Sequence, residues 1–393
     1  MKIAYVIINA NRHEGTARAV WEVAERFAQE HEVHLWARTA KTISNSRVIW
    51  KRVPGPKRPE VADFVSFRWF VDRRLLNDQY DIIHSAGPNT NVANVYTIQT
   101  VHPFKMANLN PMRAEATASP LRRMCWRFYD TRVVAAERSA YTARGPSGRR
   151  CFLPVSAGTR RELLDAYPAT ACDDEASNVC VVGNGADLVT FSPGNRDRFR
   201  DPVRTELGFN GDDFILMFSG GDWRRKGLDL LFDALTKIDD ARVKLLVVGN
   251  DRAERDLQSR PAELGMEGRV RFAGFRTDVE KFYAASDLFV FPTSYEAFSL
   301  ATIEAAASGL PVLMSDVSGA DELVGDGTCG AIIRRDPEHI AQMILAFRRD
   351  PIRMRAASLA ARARVEQQFN WDRIASQTLD VYRSITGDRQ SSP

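Results

Sequence analysis

Cysteine is scarce in this chain: five residues among 393 (Cys125, Cys151, Cys172, Cys180 and Cys329), odd in number and without metal-ligand spacing. That usage argues against a disulfide framework or a thiolate metal centre and is expected of reduced thiols in a cytosolic protein. No uninterrupted apolar run approaches the ~18 residues of a membrane-spanning helix, so no span is expected. The opening residues, Met1-Lys-Ile-Ala-Tyr-Val-Ile-Ile8, read directly as a strand and carry no signal-peptide cleavage pattern. The dinucleotide fingerprint G-x-G-x-x-G is missing after Ile8, where the next loop holds only Gly15, which speaks against a dehydrogenase. Internal repeats and low-complexity tracts are also missing.

What remains is an ordinary globular composition, 44% hydrophobic and 26% charged. A chain of this length predicts two domains of roughly 150–200 residues each. The net charge of +4 is unevenly spread: residues 47–74 carry eight basic side chains against three acidic ones, and residues 121–150 carry eight arginines against Asp130 and Glu137. Such a surface suits an anionic acceptor or an anionic membrane met peripherally, at residues 121–128. It can equally be a solvated basic face. Nucleic acid is not expected, because neither a recognised module nor an aromatic stacking pattern accompanies the charge.

Apolar runs at 2–8, 33–36, 48–50, 81–84, 95–102 and 151–156 alternate with helical periodicity, and the alternation restarts at 214–218, 243–248, 270–275, 288–291, 311–315 and 331–333. The reading is α/β: two Rossmann-like, doubly wound domains facing a central cleft. The first is expected over 1–195, the second over 196–369, with 370–393 a C-terminal helix crossing back to the first. His84 and His102 both stand at strand ends. His84 reads as structural, whereas His102, followed by Pro103, is expected to face the crevice ahead of a long mobile loop over 103–120 that would serve as an acceptor flap.

The chemistry concentrates after the strand at 288–291. Ser294-Tyr-Glu-Ala-Phe-Ser-Leu-Ala-Thr-Ile-Glu304 places Glu296 where that strand ends, and Glu304 follows with seven residues between them. Ser299 is a credible cap for a helix over 300–308, with Gly309 as its stop. The N–H groups of Leu300, Ala301 and Thr302 would then face an anion. In the preceding β-α unit, Arg224, Arg225 and Lys226 occupy a loop bordered by Gly220 and Gly227, a second anion-binding feature. Two carboxylates for hydroxyls, with cations and bare N–H groups for phosphate, suit a nucleotide sugar.

These motifs resemble the retaining glycosyltransferases of the GT-B fold, in the large fourth sequence family that includes lipopolysaccharide-core glucosyltransferases and phosphatidylinositol mannosyltransferases. The Glu-x7-Glu element at Glu296 and Glu304 and the segment Phe218-Ser-Gly-Gly-Asp-Trp-Arg-Arg-Lys-Gly227 carry the likeness. Asn184-Gly-Ala-Asp187, Gly249-Asn250 and Phe272-Ala-Gly274 fit it too. The resemblance implies that Glu296 holds hydroxyls of the donor sugar and Glu304 those of the ribose. Arg225 and Lys226 would neutralise the diphosphate, with Gly15 and Gly220 allowing close approach, and His102 would touch the sugar near the reacting carbon. Phe275 would border the base, and Phe298, Ser299, Leu300 and Ala301 would complete the donor site. One departure is Glu14, which stands where the family commonly has a second glycine.

The implied reaction moves a hexose, from a UDP-sugar ahead of a GDP-sugar, to a hydroxyl of a glycan, glycolipid or lipopolysaccharide-type acceptor, with no metal or other cofactor. The competing readings are a nucleotide-sugar epimerase of similar fold and a non-catalytic nucleotide-sugar-binding protein.

Overall fold

A computed structural model describes residues 1–12, 15–40, 46–109, 120–145, 148–171, 178–251 and 256–387, the side chains of 109 and 120–122 excepted. The chain divides into two compact units, Met1–Asn184 with Trp371–Pro393, and Gly185–Asn370. The first break thus falls at 184/185, where 195/196 was expected.

The first unit holds six parallel strands: β1 (Lys2–Val6), β2 (Glu32–Ala37), β3 (Ile49–Arg52), β4 (Ile82–Ala86), β5 (Val95–Ile98) and β6 (Cys151–Pro154). Their spatial order is β6-β5-β4-β1-β2-β3. The second unit repeats the plan with β7 (Phe214–Ser219), β8 (Val243–Val248), β9 (Val270–Gly274), β10 (Leu288–Phe291), β11 (Val312–Ser315) and β12 (Gly330–Ile333). Its order is β9-β8-β7-β10-β11-β12, again parallel. All of β7 and β10 is buried, because helices cover both faces of a parallel sheet and the strands must be apolar throughout. In each sheet the winding reverses once, between β1 and β4 and between β7 and β10. The crevice outside the carboxyl ends at such a reversal is where ligands bind.

The C-terminal helix Trp371–Thr386 belongs to the first unit. Its Tyr382 hydroxyl donates to the Tyr5 hydroxyl at 2.9 Å and lies 2.6 Å from His84 Nδ1, whose Nε2 lies 2.7 Å from Thr97 Oγ1. Burial lowers the His84 pKa to about 3, so the ring is neutral and serves the core.

Glycine stands at the carboxyl ends of three strands of the second sheet, closing β9 and directly following β7 and β8. Gly220, Gly249 and Gly274 have φ of 122°, 126° and 68°. The Gly220 N–H donates to Val248 O and the Gly249 N–H to Gly274 O, both at 2.8 Å. A Cβ on Gly249 would collide with the Gly220 carbonyl, which is backbone and cannot swing aside. Gly249→Ala is therefore expected to destabilise the second unit by about 1–3 kcal/mol or more. Denaturant unfolding checks this, and an unchanged midpoint would contradict it.

Candidate active site

The reversal point of the second sheet gathers most of the residues singled out above. After β7 the chain passes Gly220 and Gly221, then Asp222, the one non-glycine residue with positive φ (57°) among those described. Aspartate tolerates this left-handed conformation better than most side chains. From there the short helix Trp223–Lys226 turns into Gly227. Trp223, fully buried, donates its indole N–H to Gly220 O at 3.0 Å and so ties the loop to its own start.

Arg225 reaches across to the loop after β10. Its Nη1 donates to Glu296 Oε2 at 3.0 Å and to the Tyr295 carbonyl, while Nε pairs with the Asp222 carboxylate. The Ser294 N–H donates back to Arg225 O at 2.8 Å. Burial works against the Arg225 cation, but the pull of Glu296 and Asp222 outweighs it and leaves the pKa raised. Arg225 and Glu296, expected to act on different parts of a ligand, are joined as an ion pair.

Lys226 is placed differently. Its ammonium lies over Gly220, where a Cβ would displace it, and 5.4 Å from the centre of the Phe291 ring. Among the described residues it has neither a salt bridge nor a hydrogen bond. Burial lowers its pKa, Glu296 partly offsets this, and Arg225 adds to the lowering. A partly desolvated cation without an ion pair is costly, and an anion beside it would relieve that cost.

A second source of positive potential stands close in the fold. The helix Leu300–Ala307 begins after Ser299, which occupies the N-cap position but makes no side-chain capping bond. Among the described residues the N–H groups of Leu300, Ala301 and Thr302 meet no acceptor. An uncapped N-terminus keeps its donors and dipole available to a ligand. Glu304, one turn on and 5% exposed, lies 3.3 Å from the Tyr283 hydroxyl, which also reaches the Ala301 carbonyl at 3.1 Å. Phe275 follows β9 and is 60% exposed. Phe298 is turned the other way: its ring is buried, edge-on to Phe369 at 5.0 Å and tight against Gly319. Its side chain is part of the core.

The first unit holds the other two residues. Gly15 is exposed and opens the helix Gly15–Phe27; residues 13 and 14, Glu14 included, lie outside the described residues. His102 opens a helix, His102–Leu109, where a loop was expected. Proline at the second position is tolerated there, since first-turn N–H groups have no helical partner anyway. The remaining flap residues, 110–119, lie outside the described residues. His102 is 7% exposed, and its Nε2 sits 2.9 Å from Asp130 Oδ1. Its backbone N–H donates to both oxygens of Glu137, at 3.2 and 3.1 Å, and the Tyr167 hydroxyl donates to Glu137 at 2.7 Å. The imidazole is thus a buried, oriented group rather than an open one. Asp130 and Glu137 were visible in the sequence only as the two acids of an arginine-rich stretch.

Burial pushes the Glu137 carboxyl from 4.5 up to about 7, despite the bonds from Tyr167 and His102 that favour its ionised form. A carboxyl whose folded pKa is raised binds its proton more tightly when folded. Its contribution is therefore present at low pH and lost as pH rises through 4.5 to about 7. Relative to Glu137→Gln, the wild type should lose about 3 kcal/mol of stability between pH 5 and 8. Unfolding midpoints at the two pH values measure it, and a constant difference would contradict it.

The pattern describing Glycosyltransferase Family 4 matches residues 13–189, and that describing Glycosyl transferases group 1 matches residues 213–350. Among sequence relatives, the D-inositol 3-phosphate glycosyltransferase of Jonesia denitrificans is 28% identical over 328 residues, covering 77% of this chain and 71% of its own. Among solved structures, WaaG, a glycosyltransferase involved in lipopolysaccharide biosynthesis, superposes with a TM-score of 0.79 at 21% identity, covering 98% of this chain and all of that one. The Anabaena protein Alr3699/HepE, in complex with UDP and glucose, gives 0.72 at 19% identity, again over 98% and 100%. The duplicated sheet, the sites at its reversal and these matches lead to one conclusion: the chain belongs to the family-4 type of glycosyltransferases with the GT-B fold.

Proposed function

We propose that this enzyme is a retaining hexosyltransferase that takes its sugar from a nucleoside diphosphate, UDP ahead of GDP, and needs no divalent metal. The observation that carries this reading is Lys226, a partly desolvated cation over Gly220 with no counter-ion among the described residues. The diphosphate occupies that position, and the N–H groups of Leu300 to Thr302 add donors. Phe275 borders the base, Glu304 takes the ribose hydroxyls and Glu296 the hydroxyls of the hexose. His102, oriented by Asp130, acts on the same sugar, and Gly15 leaves room for phosphate.

In the reaction the bond between the anomeric carbon and the phosphate oxygen breaks, and a bond from that carbon to the acceptor oxygen forms on the same face. The transition state resembles an oxocarbenium ion, with charge growing on the departing diphosphate. Lys226, Arg225 and the helix dipole stabilise that charge, the task a metal performs in other transferases. The leaving phosphate oxygen takes the acceptor proton.

The acceptor is a saccharide, glycolipid or lipopolysaccharide-type hydroxyl. Exposed Met124 (61%) and Phe128 (48%) beside Arg127 and Arg132 support peripheral contact with an anionic membrane at its cytoplasmic face. Among the described residues no helix is long and apolar enough to cross one.

Incubation with a panel of nucleotide sugars, with and without a saccharide pool and EDTA, tests the reading. Nucleotide release is expected from a UDP-hexose, dependent on acceptor and indifferent to EDTA. Tight binding without release would favour the non-catalytic alternative, and interconversion of the sugar without transfer would favour the epimerase.

A further inference from the structure

Resting on the transferase reading, we infer that the crevice of the first sheet is a subsite for a phosphate-bearing acceptor, read by Lys57, Arg58 and Tyr129. A cavity of about 490 Å³ opens at the reversal between β1 and β4, lined by Ile8, Asn9, Lys57, Arg58, Asn89 and Tyr129 among others. A second, of about 340 Å³, shares Arg58, Glu60 and Tyr129 with it and adds Trp126. Between them the two cavities are lined by the cations Lys57 and Arg58, the rings of Phe64, Trp126 and Tyr129, and the carboxylates Glu60 and Asp63. A polyol or sugar ring carrying a phosphate can meet both the cations and the rings.

The cations stand on a loop that is built to stay in place. It runs Pro54-Gly-Pro-Lys-Arg-Pro59, so three of its six residues have a fixed φ. Arg38, 4% exposed, anchors it from beneath. Its guanidinium donates to the Pro54 carbonyl, to the Asp63 carboxylate, to Asp63 O at 2.8 Å and to Ser66 Oγ at 2.6 Å. Gly55, with φ 144°, passes where a Cβ would collide with that guanidinium. Arg38 thereby ties the loop to the helix Glu60–Leu75.

Lys57 and Arg58 are exposed and have no ion pair or hydrogen bond among the described residues. Asp63 is committed to Arg38, and Glu60 sits in the first turn of its helix, where the dipole favours a carboxylate. An exposed pair of cations is ordinarily worth little. Here the anchored loop fixes the backbone that carries them, and the arginine fork matches a phosphate. Tyr129 supplies the ring: it packs edge-on against Phe64 at 6.0 Å and His102 at 6.4 Å. Its hydroxyl has no partner among the described residues. The tyrosine thus links these cavities to the oriented histidine.

The phosphate can belong to a soluble sugar phosphate or to a lipid headgroup, and the test separates the two. The full-length chain and a Lys57→Ala/Arg58→Ala variant are titrated with inositol 3-phosphate against inositol, and glucose 6-phosphate against glucose. Both proteins are also sedimented with vesicles of phosphatidylinositol against phosphatidylcholine. UDP binding is measured in parallel. In at least one arm the anionic probe, sugar phosphate or phosphatidylinositol, should bind 10-fold or more tightly than its neutral or zwitterionic counterpart, and the variant should lose that preference with UDP affinity unchanged. Discrimination in the soluble arm assigns a free phosphorylated acceptor, and discrimination in the vesicle arm alone assigns a headgroup. Equal binding of every pair, or a variant that discriminates like the wild type, overturns the inference. Failure of the wild type to bind UDP would instead overturn the donor reading.

Discussion

Glu296→Ala is expected to lower kcat by about 10²–10³-fold while leaving the UDP dissociation constant within a few-fold of wild type. The carboxylate sits 3.0 Å from Arg225, which holds it in place, and at 21% side-chain exposure it remains reachable from solvent. In the proposed role it grips hexose hydroxyls whose hydrogen bonds strengthen as the ring flattens, which places its contribution in the transition state. The loss corresponds to about 3–4 kcal/mol. Glu296→Gln keeps the shape and one acceptor and should recover part of it. Steady-state kinetics with a UDP-hexose separate the effects: normal turnover in the alanine variant removes the assignment, and a loss confined to KM would make Glu296 a binding residue only.

Lys226→Ala is the second large effect, and it runs in two directions. Without ligand, the wild type carries a desolvated ammonium with no counter-ion among the described residues, so its removal should raise the unfolding midpoint. With donor present the same change should cost about 10³-fold in kcat/KM, because a charge placed for the departing diphosphate is gone. pH dependence follows from the same residue. Its pKa is lowered from 10.5 in the free protein and must rise when a diphosphate binds. UDP affinity is thus greatest below the free-protein value and falls as pH rises through it. The UDP phosphate itself titrates near pH ~6 and does not interfere. Lys226→Arg should flatten that alkaline fall. A lysine variant less stable than wild type and unimpaired with donor would contradict the whole assignment.

Much of this site was legible in the sequence because it lies at the ends of strongly apolar strands. Once β7 and β10 are recognised, Gly220, Lys226, Glu296 and Leu300 must emerge at one edge of one sheet. The duplicated α/β plan was legible for the same reason. What escaped was set by tertiary contacts between distant segments. The Arg225–Glu296 pair spans loops 71 residues apart. The left-handed turn at Asp222 leaves only a faint local sign, an acid three residues before Arg225. Phe298 read as a ligand contact because it sits inside the motif, yet its ring fills space left by Gly319. His102 reads as facing the crevice because Pro103 suggests a loop; Asp130 and Glu137, both on the helix Pro120–Ala140, hold it at a helix start.

The central claim, that Lys226 over Gly220 receives a diphosphate, is tested most directly by calorimetric titration with UDP and with UMP. The wild type should bind UDP about 100-fold more tightly than UMP, and Lys226→Ala should lose most of that difference while its UMP affinity stays the same. Equal discrimination in the two proteins would contradict the account.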